Sequence, residues 1–183
     1  MPKLSEAEKA ERARQRMLDS AKAYSTGTYI RKFVAPLFQR MIRSEAGADT
    51  RPYVTAVVDG EIRQVPRRVG QVVCVTCGKV EAWSSGLGGM HTGHFVGSRS
   101  NSIIFEGDNV APQCSRCNVY NHGEAAKFRQ WMDAVRGREV VDRLQRLRNE
   151  SRSFTRDELV DMLIGFRSRL KAAERKMGGQ HNG

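Results

Sequence analysis

Ile30, Phe33, Val34, Leu37, Phe38, Met41 and Ile42 fall at the spacing of one helical face, after a break at Ser25-Thr26-Gly27-Thr28. The pattern predicts a helix built to bury a strong apolar stripe, with a kink or a helix start at Pro36. Upstream, Ser5 and Glu8 stand in capping-box spacing before an Ala-, Glu- and Arg-rich run to about Ala23. That run predicts a helix with little to bury, either solvated or dependent on a partner. Between Pro52 and Val65 the period shortens to that of strands, and Tyr53 to Val58 and Glu61 to Val65 flank Asp59-Gly60. A β-hairpin is predicted there. Farther on, Ala125, Phe128, Met132 and Val135 mark one helix, and Val140, Val141, Leu144 and Leu147 a second. Thr155 and Glu158 open a third, with Leu159, Met162, Leu163, Phe166 and Leu170 as its stripe. Three packed C-terminal helices are expected, followed by a disordered tail over 178–183.

At 183 residues the chain has room for one domain with a helical extension. Hydrophobic residues make up 39% and charged residues 28%, enough apolar content for a core. No apolar run is long enough to span a membrane, and the charged stretch Met1 to Arg16 lacks the apolar centre of a signal peptide. A cytoplasmic protein is expected. The formal charge is +11, which points to a polyanionic partner. The charge is unevenly placed: 11 basic against 6 acidic residues up to Arg51, 6 against 5 from Pro52 to Gly123, and 14 against 9 thereafter. Basic ends thus flank a nearly neutral centre, although basic helices are also often simply solvated.

That centre holds all four cysteines, as Cys74-Val75-Thr76-Cys77 and Cys114-Ser115-Arg116-Cys117. Two residues between cysteines let both thiolates reach one ion from a tight knuckle, and two knuckles complete the four-sulfur shell that Zn2+ prefers. Such a shell has no open position, so the zinc is expected to be structural. Disulfides are the alternative, disfavoured in a reducing compartment. The 36 residues between Cys77 and Cys114 exceed what a compact ribbon needs. They contain the Gly-rich segment from Ser84 to Gly89, then Met90-His91-Thr92-Gly93-His94-Phe95 and Asp108-Asn109-Val110, and Pro112-Gln113 leads into the second knuckle and Asn118.

A histidine on a strand, an asparagine in the returning loop and an asparagine at the second knuckle resemble an HNH (ββα-metal, His-Me finger) nuclease module of the zinc-stapled kind. Cys-x-x-Cys-Gly78, Gly93-His94-Phe95, Asn109 and Gln113-Cys114-x-x-Cys117-Asn118 are similar to the phage NinG/Rap recombination family, over roughly Val72 to Lys176. The asparagine directly after the last cysteine also resembles the endonuclease VII group. The resemblance implies a metal-dependent, structure-specific DNA endonuclease acting on branched recombination intermediates such as Holliday junctions and D-loops. It implies that His94 is the general base, that Asn118 holds a catalytic Mg2+ or Mn2+, and that Asn109 pins the loop aiming the histidine. Many HNH motifs place an Asp before the histidine as a second metal ligand. Here Gly93 stands there, leaving His91, Asp108 and His122 as candidates, with His91 taken first.

The expected architecture is α+β. A basic helical region (1–51) precedes a hairpin and zinc-stapled nuclease core (52–123), a C-terminal helical subdomain (124–177) and the tail. Arg99 and Arg116 are the expected phosphate contacts, and the arginines of the C-terminal helices suit a second DNA arm unless neighbouring acids pair with them. Trp83 and Trp131 suit base stacking or, more simply, packing. A junction's near two-fold symmetry suits a homodimer, with the Ile30 to Ile42 stripe as its contact. Two other functions fit the same residues: an HNH nuclease cutting linear duplex, and a non-catalytic zinc module that binds DNA.

Overall fold

A computed structural model of the chain describes residues 4–84, 89–97 and 100–178. Helix α1 (Glu6–Ala21) begins in the expected capping box, with Ser5 Oγ accepting the Glu8 N–H at 3.2 Å and the Glu8 carboxylate accepting the Ser5 N–H at 2.8 Å. Most of α1 is exposed, but it does find a partner. Arg14 donates to Asp161 at 2.7 Å and to Asp157 at 3.2 Å, both on α6 (Arg156–Gly178), and Met17, Leu18 and Ala21 pack into the cluster around Leu159 and Leu163. The chain's own C-terminal helix therefore holds its N-terminal one.

Helix α2 (Thr26–Tyr29), a π-helical turn (Ile30–Val34) and α3 (Ala35–Ala48) follow one another without a break. In the π turn the Ala35 N–H reaches back five residues to the Ile30 carbonyl. The next residue, Pro36, has no N–H to offer the Lys32 carbonyl, so the irregularity expected at the proline takes the form of a wider turn just before it. The apolar stripe lies against α6: Phe38 meets the Phe166 ring at 5.2 Å between centroids, and Ile30 and Val34 join Leu159, Val160 and Leu163. Burying Phe38 stabilises the fold by roughly 2–3 kcal/mol. Most of the stripe named above as a dimer contact is thus covered within the chain, because α6 offers a matching apolar face; Phe33 stays exposed beside Tyr24 and Tyr29.

The predicted hairpin forms from β1 (Tyr53–Val58) and β2 (Glu61–Pro66), in register Val58 opposite Glu61. Asp59 and Gly60 take φ of 52° and 82°, the two left-handed residues of the turn that matches strand twist. Just past β2, the buried Arg67 guanidinium donates to the carbonyls of Ala46 (2.6 Å), Gly47 (2.9 Å) and Asp49 (2.7 Å). These are carbonyls at the end of α3 that the helix cannot satisfy itself, so Arg67 stitches hairpin to helix.

Two further antiparallel pairs complete the β structure, β3 (Gln71–Val73) with β4 (Val80–Ala82) and β5 (Met90–His94) with β6 (Val110–Cys114). Helices α4 (Ala125–Val135) and α5 (Arg138–Leu147) pack Phe128, Trp131, Met132, Val141 and Leu144 onto Val57, Val75, Ile103 and Ala111. The C-terminal helices divide their work: α4 and α5 close the core beside the strands, and α6 returns to α1 and α3. The fold is α+β, as expected. Gly178, placed in the tail from sequence, closes α6, and 179–183 lie outside the described residues. Among the described residues no helix is long and apolar enough to cross a membrane.

Candidate metal centre and strand-end site

The two knuckles, far apart in sequence, meet through backbone hydrogen bonds. The Val75 N–H donates to the Pro112 carbonyl at 3.0 Å, and the Val57 N–H donates to the Val75 carbonyl at 2.8 Å, so the first knuckle is held between β1 and β6. The Gly78 N–H closes the knuckle onto the Cys74 carbonyl at 2.9 Å. Gly78 takes φ of 75°, and a Cβ there would stand 2.6 Å from Val58 Cγ2, so only glycine fits. The second knuckle begins where β6 ends and continues into a π-helical turn, Arg116–Tyr120.

The four sulfurs consequently lie within 4.8 Å of one another, with Cys77 Sγ and Cys114 Sγ 3.7 Å apart. A tetrahedral ion with bonds of ~2.3 Å to sulfur places its ligands ~3.8 Å apart, so the cluster is formed to hold a metal ion. The thiols influence one another strongly. A hydrogen bond from Cys77 is the main cause pulling the Cys74 thiol down to about 5, and the same contact pushes Cys77 up. Burial pushes Cys117 up to about 11. A dication bound among four such sulfurs would favour their thiolate forms.

His94 ends β5. Burial lowers its pKa, opposed by a hydrogen bond to the Ile104 backbone, and its Nε2 is shielded from solvent with no partner among the described residues. We therefore assign the Ile104 bond to Nδ1, which leaves the Nε2 lone pair unused on a neutral ring. The loop after His94 is fastened by the fully buried Asn109: the Phe95 N–H donates to its backbone carbonyl at 2.8 Å, the Val96 N–H to Oδ1 at 2.8 Å, and Nδ2 to the Val96 carbonyl at 3.2 Å.

Strand alternation puts His91 and Gly93 on the opposite face of β5 from His94. On the His91 face stands Asn118, whose Nδ2 is 3.4 Å from His91 Nδ1. Two of the residues named for a divalent ion are thus neighbours. The other two candidates lie elsewhere in the bonding pattern. Asp108 accepts from Arg143 at 2.8 Å and pairs with Arg136 at 3.5 Å, and His122 is exposed in the turn before α4 with φ of 51°.

Arg116 is exposed on the second knuckle, and Arg99 lies outside the described residues. Of the C-terminal arginines, Arg143 holds Glu106 as well as Asp108, and Arg129 holds Asp133. Among the described residues no ion pair joins Arg138, Arg146 or Arg148. Trp131 is buried, with Nε1 donating to the Thr55 carbonyl at 2.8 Å, and Trp83 packs beneath the Arg40 guanidinium, so both tryptophans serve packing.

Sequence reasoning missed two residues. Arg43, on α3, reaches Thr92 Oγ1 at 3.4 Å on the His94 face of β5, and among the described residues it has no carboxylate partner. Burial lowers its pKa, the condition of a cation placed where an anion is absent. Gln113, the other, is fully buried, and its Oε1 has no partner among the described residues. The sequence carries no signal for Arg43, which is one basic residue among many. For Gln113 the signal was its place in the motif Gln113-Cys114-x-x-Cys117-Asn118, which gave it no role.

No curated protein and no solved structure matches the chain. The family model described as bacteriophage Lambda NinG protein matches residues 53–176, so it takes in the hairpin as well as the region from Val72 on which the resemblance rested. The match spans β1 through nearly all of α6 and includes both knuckles, His94, Asn109 and Asn118. With well over half of its length covered, the chain belongs to the family of the bacteriophage Lambda NinG protein.

Proposed function

We propose that this chain is a metal-dependent DNA endonuclease of phage recombination, cutting branched intermediates such as Holliday junctions, on an HNH-like core stapled by a structural Zn2+ on Cys74, Cys77, Cys114 and Cys117. The observation that carries the reading is the state of His94: a neutral imidazole tied through the Ile104 backbone, its Nε2 lone pair unused, beside a loop that Asn109 fastens. In the reaction, His94 Nε2 takes a proton from water as its oxygen attacks the phosphorus, the bond to the 3′ oxygen breaks, and that oxygen leaves as a hydroxyl with a proton from solvent water. Asn109 keeps the strand end in place, and Arg43, Arg99 and Arg116 supply phosphate contacts. His91 and Asn118, on the face of β5 opposite His94, would hold the second cation, Mg2+ or Mn2+, which when bound would neutralise charge on a DNA phosphate at the strand end. For this role Nε2 has to become accessible to water when DNA binds.

The shielding of His94 Nε2 favours a second reading, a non-catalytic zinc module that binds DNA. The deciding experiment is cleavage of four-way junctions and matched linear duplexes by wild type and His94→Ala, with and without Mg2+. Junction cutting that requires both Mg2+ and His94 supports the proposal. Binding without cutting, unchanged by the substitution, supports the second reading, and equal cutting of linear duplex makes the protein a general HNH nuclease.

A further inference from the structure

Gln113 lies on β6 directly opposite His91 across the ladder, with no exposed surface. Its Nε2 donates to Thr76 Oγ1 at 3.1 Å and to the Gly123 carbonyl at 2.8 Å. Those two bonds use both hydrogens of the amide and so fix which way it faces. Oε1 is turned towards Gly93, buried and, among the described residues, without a hydrogen-bond partner. Any Cβ on residue 93 would overlap that oxygen and come within 2.7 Å of Gln113 Cδ. The missing side chain of Gly93 is therefore the seat that the amide oxygen occupies.

A buried carbonyl oxygen with two lone pairs and no donor is costly unless an electropositive group approaches it. The groups sharing its face are His91, directly across the ladder, and Asn118, in contact with His91. With Asn118 Nδ2 turned to His91 Nδ1, its Oδ1 remains as a second amide oxygen. Oxygens of this kind suit a hard divalent ion.

We propose that Gln113 Oε1 is a ligand of the divalent cation, together with Asn118, supplying from β6 the oxygen that Gly93 on β5 cannot. The proposal rests on the nuclease reading for the presence of that cation. It also joins the two metal centres. Because Thr76 Oγ1 accepts from Gln113, its own hydrogen is free for Cys74 Sγ, 3.4 Å away, so Thr76 would link the orientation of Gln113 to an ion held by the cysteines.

The test uses the full-length, zinc-loaded chain without DNA. Mg2+ is titrated into isotope-labelled protein while the side-chain amide resonances of Gln113 and Asn118 are followed by NMR. Mn2+ affinity is measured by EPR for wild type and Gln113→Met. The two resonances are expected to shift together and saturate with one ion, and Gln113→Met to weaken Mn2+ binding at least tenfold while retaining zinc. A stationary Gln113 resonance, with or without shifts at Asn118 and His91, overturns the proposal, as does unchanged Mn2+ affinity. Should Gln113→Met fail to fold, the wild-type resonances decide alone. Junction cleavage reports separately on the nuclease reading: a cation-shifted Gln113 in a protein that cuts nothing keeps the site and removes the nuclease.

Discussion

The side chain of Asn109 and the backbone of Val96 form a closed pair of hydrogen bonds, N–H to Oδ1 at 2.8 Å and Nδ2 to carbonyl at 3.2 Å, fully buried two residues beyond His94. No other side chain offers a donor and an acceptor in this geometry at this length. Asn109→Ala leaves both Val96 groups unpaired and is expected to cost about 2–3 kcal/mol. Asn109→Asp keeps the acceptor but sets a buried carboxylate oxygen against the Val96 carbonyl, so it should cost at least as much as Asn109→Ala. Urea denaturation of the three proteins checks the order, and a wild-type midpoint for Asn109→Ala would contradict it.

The cysteine cluster should govern folding as a whole, because it ties β1, β6 and the turn before α4 into one unit. A strong chelator, or Cys114→Ser, is expected to abolish cooperative unfolding of the core and to release one zinc per chain. Metal analysis with circular dichroism before and after chelation tests this. Two zinc ions per chain, or an unaltered melting curve after metal loss, would remove the structural role.

His94 makes stability depend on pH with a definite sign. Its folded pKa lies below the ordinary imidazole value of about 6.5, so between the two values the unfolded chain holds more protons than the folded one. Stability should therefore fall as pH drops from about 6.5 to the lowered value and level off below it. Acid also frees the cysteine-bound ion, so the informative quantity is the difference between wild type and His94→Gln. That difference should carry the slope, and parallel curves would mean that His94 is not held neutral.

Arg67 satisfies three carbonyls at and just beyond the end of α3 from a buried position. Arg67→Met retains most of the apolar stem but none of the donors, and is expected to destabilise by about 3 kcal/mol. Thermal melts of the zinc-loaded protein measure it. Arg67→Lys should recover little, since an ammonium cannot fork to three carbonyls.

Arg43 should behave in the opposite way. Its guanidinium has no carboxylate partner among the described residues and is partly buried, so Arg43→Gln is expected to leave the melting temperature unchanged or raise it slightly while weakening DNA binding. The salt dependence of binding should lose about one unit of slope. A destabilised variant with unaltered DNA affinity would make Arg43 a structural residue.

The helices, the Asp59-Gly60 hairpin and the four-sulfur cluster were legible in the residues, because each depends on spacing along a short stretch of chain. Periodicity of 3.6 marks a buried stripe whatever covers it, and Cys-x-x-Cys forms a knuckle from its own backbone. His94, Asn109 and Asn118 were named from their order along the chain, and that order does not say which face each takes: His94 and Asn118 stand on opposite faces of β5. Long-range packing decided the rest. Nothing in the Ile30 to Ile42 pattern tells α6 from a second copy, since an apolar face accepts any complementary one. The pairing of Asp108 with Arg143, the isolation of Arg43 and the unpartnered oxygen of Gln113 depend on which atoms surround each group after folding, and these neighbours lie tens of residues away along the chain. Charge and amide chemistry are local properties of a residue, but whether they are satisfied is a property of the assembled interior.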